Sequence, residues 1–276
     1  MQADAIVREM GGVALLGRLT GGEGAGAWAV RMPDGRRAVL KFAEGDHLDF
    51  ERAARTCDAL RARGYPAPEP LMTGAIGATR FGITTLEPGT PLAELGVRHL
   101  APVVDLVDRQ RDVGLVGRAP WLDDIVTSVT DGRAGYCEHG AMDAHSPETR
   151  TLLDRLRRIA GSIGPLDVPV GDVVHMDFCP GNMLAEGPTI TAVFDWEGST
   201  SGDAAFDLVT QSLYAPSLRD ALLDSARART DPRALRLYTA HMVLRQVDWS
   251  IRHHDDGAIQ WYLAAGTALL AAVEAG

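Results

Sequence analysis

The chain has 276 residues, of which 46% are apolar and 23% charged, with a formal net charge of −10. These proportions describe an ordinary soluble globular protein, long enough for one large domain or two lobes, without repeats or low-complexity tracts. No apolar run approaches the roughly 20 residues of a membrane span, and the opening MQADAIVREMGG lacks the apolar stretch of a secretory signal. The three cysteines, Cys57, Cys137 and Cys179, are far apart and form no CxxC. That spacing argues against a disulfide framework or a zinc site and fits a reducing cytoplasm. The charge is unevenly spread: residues 1–89 hold 11 acids and 11 bases, whereas residues 90–276 hold 26 acids against 16 bases. Such a surface repels nucleic acid and anionic membrane and draws in cationic ligands.

In chain order, VALLGRL (13–19), AWAVRM (27–32) and RRAVLKF (36–42) read as three strands joined by TGGEGAG (20–26) and a Pro-Asp-Gly turn (33–35). Residues 46–64 carry Leu48, Ala53, Cys57 and Leu60 near helical spacing and end at Gly64. YPAPEP then stops the helix and starts an extended segment, and residues 77–89 suggest two short strands about a Phe-Gly turn. From Thr90 onward helices dominate: 92–114, with Pro102 as a possible break, and 146–164, with Ser146 as N-cap and Pro147 in the first turn. Residues 173–198 read as strand, loop and a hairpin about Glu-Gly-Pro, and helical patterns follow near 203–213, 217–229, 232–254 and 258–274. The expected division is an N-terminal lobe over 1–89, with a hinge at 85–89, and a helical C-terminal lobe over 90–276.

Lys41 is the only lysine among 27 basic residues, and Asn182 is the only asparagine. A chain so biased toward arginine keeps a lysine where a compact point charge must meet phosphate oxygens in a confined site. HMDFCPGN sets Asp177 and Asn182 five residues apart across a loop tightened by Pro180 and Gly181, and VFDWE puts Asp195 at the end of an apolar strand. One base and two hard-oxygen ligands for magnesium are what phosphoryl transfer requires. Gly21, Gly22, Gly24 and Gly26 could cradle phosphate through their backbone N–H groups, although they do not form a GxGxxG.

His175, Asp177, Asn182, Asp195, Trp196 and Glu197, in that order and spacing, with SGDAAFDLV (201–209) following, resemble the aminoglycoside phosphotransferase family, the antibiotic-modifying branch of the protein-kinase-like fold. The resemblance implies an α+β, two-lobed fold with a small antiparallel-sheet N-lobe and a mostly helical C-lobe, the chemistry lying between them. It also implies the following roles. Asp177 would orient the acceptor hydroxyl, and His175 would brace the catalytic loop. Asn182 and Asp195 would hold Mg2+, while Lys41 would contact the phosphates of ATP or GTP together with Gly22 and Gly24. Glu51 would pair with Lys41 from the first helix, with Asp49 as its rival, and Thr85, Leu86 and Glu87 would meet the base through backbone groups. The expected substrate is a small cationic antibiotic, an aminoglycoside or a basic cyclic peptide of the viomycin and capreomycin kind. A metabolic kinase of choline, homoserine or a sugar, and a catalytically silent nucleotide-binding protein, are the alternatives.

Overall fold

The computed structural model describes residues 3–19, 26–45, 48–114 and 120–275. Gly21, Gly22 and Gly24 lie outside the described residues. The chain forms two compact units, one of residues 1–93 with 180–199, the other of residues 94–179 with 200–276. This division departs from the expected 1–89 and 90–276 because the hairpin that follows Asn182 pairs with the N-terminal unit. In that pairing β6 (Thr90–Pro91) hydrogen-bonds to β8 (Met183–Glu186), which in turn pairs with β9 (Thr189–Val193).

The first unit is built on a five-stranded antiparallel sheet of order β1-β2-β3-β5-β4, with β1 Ala14–Arg18, β2 Trp28–Arg31, β3 Arg37–Glu44, β4 Pro70–Ile76 and β5 Thr79–Thr85. Alternation along the strands assigns its two faces. Ala38 and Leu40 of β3, with Phe81 and Ile83 of β5, join Ile6 and Val7 of α1 (Ala3–Met10) in a buried core. Lys41 and its register partner Gly82 therefore project to the other face. That face receives α2 (Phe50–Arg61): a Cβ on Gly82 would lie 2.8 Å from the Phe50 ring. Gly82 is thus a close-approach glycine in mid-strand. The Phe-Gly turn expected there is replaced by a turn at Gly77, whose φ is +59°. The helix α1 is also absent from the sequence reading, since eight residues are too few for a convincing period.

The second unit is helical: α3 (Leu100–Arg109), α4 (Trp121–Thr130), α5 (His139–His145), α6 (Pro147–Ser162), α7 (Ala205–Tyr214), α8 (Arg219–Arg227), α9 (Pro232–His253) and α10 (Asp256–Ala275). Pro102 falls in the first turn of α3, where its missing N–H costs nothing, so the helix is not broken there. Helices α7 and α9 are buried along almost their whole length. Between them Trp121, Phe206 and Tyr238 pack edge to face at 5.4–5.7 Å, with Trp121 Nε1 donating to Tyr238 Oη at 3.0 Å. By length and composition α10, with a mean hydropathy of 1.2, is apolar enough to cross a membrane; here Leu269, Leu270 and Val273 are buried and Gly266 approaches Val243 of α9. A two-stranded ribbon of β7 (Asp172–Val174) and β10 (Thr200–Gly202) completes the unit, and β7 leads directly into His175.

Candidate active site

In the first unit Lys41 Nζ donates to Asp195 Oδ1 at 2.8 Å and to Glu197 Oε2 at 3.3 Å. Burial opposes the charge on Lys41, but Glu197 and Asp195 outweigh it and hold its pKa above the ordinary lysine value. Glu197 is 12% exposed. Burial pushes its carboxyl up to about 7 against the pull of Lys41, and the neighbouring Asp195 carboxylate adds to the rise. Arg52 of α2 donates to the Glu197 carbonyl at 3.1 Å, and Tyr65 packs edge to face on Trp196. These contacts fix the Asp-Trp-Glu segment beneath the lysine.

The expected partnership of Lys41 with Glu51 is not made. The inward stripe of α2 is Phe50, Ala53, Cys57 and Leu60, and Glu51 lies exposed on the opposite side. Asp49, its rival, is the helix N-cap, accepting from the Arg52 amide at 2.9 Å. At the position on α2 that looks toward Glu197 and Lys41 stands Cys57, a thiol that burial holds far above its ordinary pKa.

Asn182 and Asp195 are brought together by the β8–β9 hairpin. Met183 faces Val193 across it, and the Phe194 amide donates to the Asn182 carbonyl at 3.0 Å, so the two residues sit at the same end. Asp195 adopts a left-handed conformation, φ +73°, which turns its side chain off the end of β9. One carboxylate and one amide oxygen suit Mg2+, which retains water and phosphate ligands rather than entering an all-protein cage. Among the described residues no cluster of three His, Cys, Asp or Glu side chains forms such a cage.

Thr85, Leu86 and Glu87 leave the end of β5. The Thr85 amide donates to Glu69 O at 2.9 Å, and Thr85 Oγ1 accepts from the Glu69 amide at 2.8 Å and donates to the Glu87 carboxylate. The Leu86 amide reaches Arg37 O at 3.4 Å, a long contact. The segment is thereby held in place by its neighbours' main chain.

In the second unit the loop after β7 is held from two sides. Asp207 of α7, fully buried, accepts from the amides of His175 at 2.8 Å and Met176 at 3.2 Å and from Gln110 Nε2 at 2.6 Å. Burial raises the Asp207 carboxyl to about 7, and those hydrogen bonds work against the rise. His175, also fully buried, accepts the Asp177 amide on Nδ1 at 3.3 Å and packs against Phe178. Asp177 is 40% exposed and meets Arg245 Nη2 at 2.8 Å. Sequence reasoning passed over Arg245, Gln110 and Arg52; the only signal for Arg245 was a cation amid the apolar run of α9.

A cation between two carboxylates on a sheet, a paired amide and carboxylate at a hairpin end, and a braced loop aspartate are the parts of a protein-kinase-like enzyme. The profile of the phosphotransferase enzyme family, APH, matches residues 17–238, and the chain belongs to that family. No curated protein matches in sequence. Among solved structures, a thermostable mutant of aminoglycoside phosphotransferase APH(4)-Ia, in ternary complex with ADP and hygromycin B, aligns with a TM-score of 0.73. That alignment has 21% identity and covers 98% of this chain and 97% of the other. Choline kinase LicA from Streptococcus pneumoniae aligns at 0.62 with 12% identity over 99% and 98% of the two chains. Macrolide 2'-phosphotransferase MphH from Brachybacterium faecium aligns at 0.53 with 19% identity over 95% and 96%. The fold is the protein-kinase-like fold of this family, and the chain is a phosphotransferase.

Proposed function

We propose that this enzyme transfers the γ-phosphoryl group of ATP to a hydroxyl of a small cationic antibiotic, an aminoglycoside or a basic cyclic peptide of the viomycin or capreomycin kind. The observation that carries the reading is the Lys41 ammonium held by Asp195 and Glu197, a fixed cation suited to phosphate oxygens beside a residue suited to magnesium. The acidic excess after residue 90 supports a cationic acceptor. The buried thiols of Cys57 and Cys137 accord with work in the cytoplasm.

In this reading Asp177 orients the acceptor hydroxyl and accepts its proton. The hydroxyl oxygen bonds to the γ-phosphorus as the bond from that phosphorus to the β–γ bridging oxygen breaks, and ADP leaves with the electron pair. Lys41 meets the phosphate oxygens, and Glu197 keeps the ammonium in position. Asn182 and Asp195 would hold Mg2+, which supplies charge neutralisation at the phosphates when bound. Thr85, Leu86 and Glu87 present main-chain groups to the base, and GTP in place of ATP would be distinguished there.

The test is a mass-shift assay with Mg-ATP and Mg-GTP over a panel of hygromycin B, other aminoglycosides, viomycin, capreomycin and choline. One added phosphoryl group on a cationic antibiotic is the expected result. Phosphorylation of choline alone would make the enzyme a metabolic kinase, and nucleotide binding without any turnover would make it catalytically silent.

A further inference from the structure

Arg245 stands out because α9 buries its neighbours Val243, Leu244, Gln246 and Val247, yet carries this guanidinium among them. The side chain is 19% exposed. Burial disfavours its charge, and Asp177 foremost among its neighbours restores it. Its two terminal nitrogens go to consecutive residues of one loop: Nη1 donates to the Met176 carbonyl, and Nη2 to Asp177 Oδ1 at 2.8 Å.

Met176 has φ +73°, a left-handed conformation that a side-chain-bearing residue adopts only when its surroundings enforce it. The enforcement is visible on both ends of the residue. Its N–H is taken by Asp207 Oδ1 at 3.2 Å, and its carbonyl is taken by Arg245. The same arginine then reaches one residue further and holds a carboxylate oxygen of Asp177. A planar fork brings two separate nitrogens to a carbonyl and a carboxylate in a fixed geometry, whereas an ammonium must reach both from one nitrogen on a flexible stem.

We propose that Arg245 is a positioning residue for phosphoryl transfer: by locking the left-handed Met176 peptide and one oxygen of Asp177, it fixes the direction from which the Asp177 carboxylate meets the acceptor. The proposal rests on the reading of Asp177 as the group that orients the acceptor hydroxyl. It makes Arg245 act through Asp177 and not on the nucleotide.

The experiment is a double-mutant cycle on the full chain with Arg245→Met, Asp177→Asn and the pair, repeated with Arg245→Lys. Saturating Mg-ATP is the donor. Water serves as acceptor in one assay and hygromycin B in a second, and kcat and the KM for ATP are read separately. With water, a water O–H is the attacking group, its proton passing to Asp177, and the products are ADP and inorganic phosphate. Arg245→Met is expected to lower kcat by about a hundred-fold, the effect of a misplacement near 1 Å, and to leave the KM for ATP unchanged. Arg245→Lys should fall between it and the wild type. In the Asp177→Asn background either change at Arg245 should cost nothing more, because the group it orients is gone.

An Arg245 variant with wild-type kcat overturns the proposal, as does an equal further loss in the Asp177→Asn background. If Arg245→Met fails to fold, the lysine variant completes the same cycle. Full activity of Asp177→Asn overturns the parent reading instead, and absence of ATP turnover in the wild type overturns both.

Discussion

Lys41 draws its partners from a segment more than 150 residues away, and this dictates how it responds to substitution. Its ammonium contacts single oxygens of Asp195 and Glu197, an arrangement that a guanidinium, larger and planar, cannot reproduce. Lys41→Arg should therefore lower turnover by about a hundred-fold while the melting temperature stays near wild type, checked by parallel steady-state kinetics and thermal unfolding. Asp195→Ala should abolish the magnesium dependence of ATP binding, measured by calorimetry with and without the metal; unchanged Mg-ATP affinity would move the metal ligand elsewhere, Glu197 first. At this scale, legibility followed rarity. One lysine and one asparagine in 276 residues drew attention to Lys41 and Asn182. Glu197 was visible only as a neighbour of Asp195, and which acid meets Lys41 depends on which side of α2 faces the sheet. Arg245 is one arginine among 26, and no spacing rule singles it out.

At the level of elements, α2 is placed by a cap and a contact that can be separated. Asp49 caps its first turn, so Asp49→Ala should cost about 1 kcal/mol of stability and leave kcat unchanged, a result that chemical denaturation and kinetics on one preparation would give together. Gly82→Ala puts a methyl 2.8 Å from the Phe50 ring; such overpacking costs typically about 1–3 kcal/mol. Because Gly82 pairs with Lys41, this variant should also impair turnover. The strands around 13–19, 27–32 and 36–42 were readable from alternation, and the β8–β9 hairpin from its Glu-Gly-Pro turn. The helices of the second unit were readable where an apolar stripe or a cap marks them, as with Ser146, which accepts from the Thr149 amide. Three α-helices escaped for physical reasons. Helix α1 is too short, while α4 and α5 lie in a stretch of Asp, Gly and His whose helical state depends on packing under α6 and α9. The role of Gly82 was misread because a glycine in a strand and a glycine in a turn look alike without the partner that crowds it.

For the whole molecule, acid stability should be governed in part by His241, which is fully buried on α9 with Nε2 3.1 Å from Tyr136 Oη. Burial, with Arg245 and Arg133 adding positive charge, lowers its pKa from 6.5 to about 3. A histidine depressed in the folded state stabilises that state above its unfolded pKa. The contribution is lost as pH falls from about 6.5 toward 3. Denaturation midpoints measured at pH 7, 6, 5 and 4 should therefore fall more steeply for the wild type than for His241→Phe; parallel slopes would exclude His241 as the source. At this scale the change of periodicity near Thr90 marked a strand-rich part followed by a helical one, and the protein-kinase-like fold class came from the resemblance carried by residues 175–209. The membership of residues 180–199 in the first unit was not legible, because strand pairing between β6 and β8 spans more than 90 residues of chain.

The solitary lysine has a chemical consequence apart from catalysis. Amine-acylating reagents find a single ε-amino group in this protein, and it belongs to the residue that we place at the nucleotide phosphates. Because Lys41 is three-quarters buried and ion-paired, its acylation should be slow in the free enzyme and slower still when nucleotide covers it. Side-chain labelling therefore yields a homogeneous, single-site product, and the rate of that labelling becomes a gauge of nucleotide occupancy, with no need to know the acceptor.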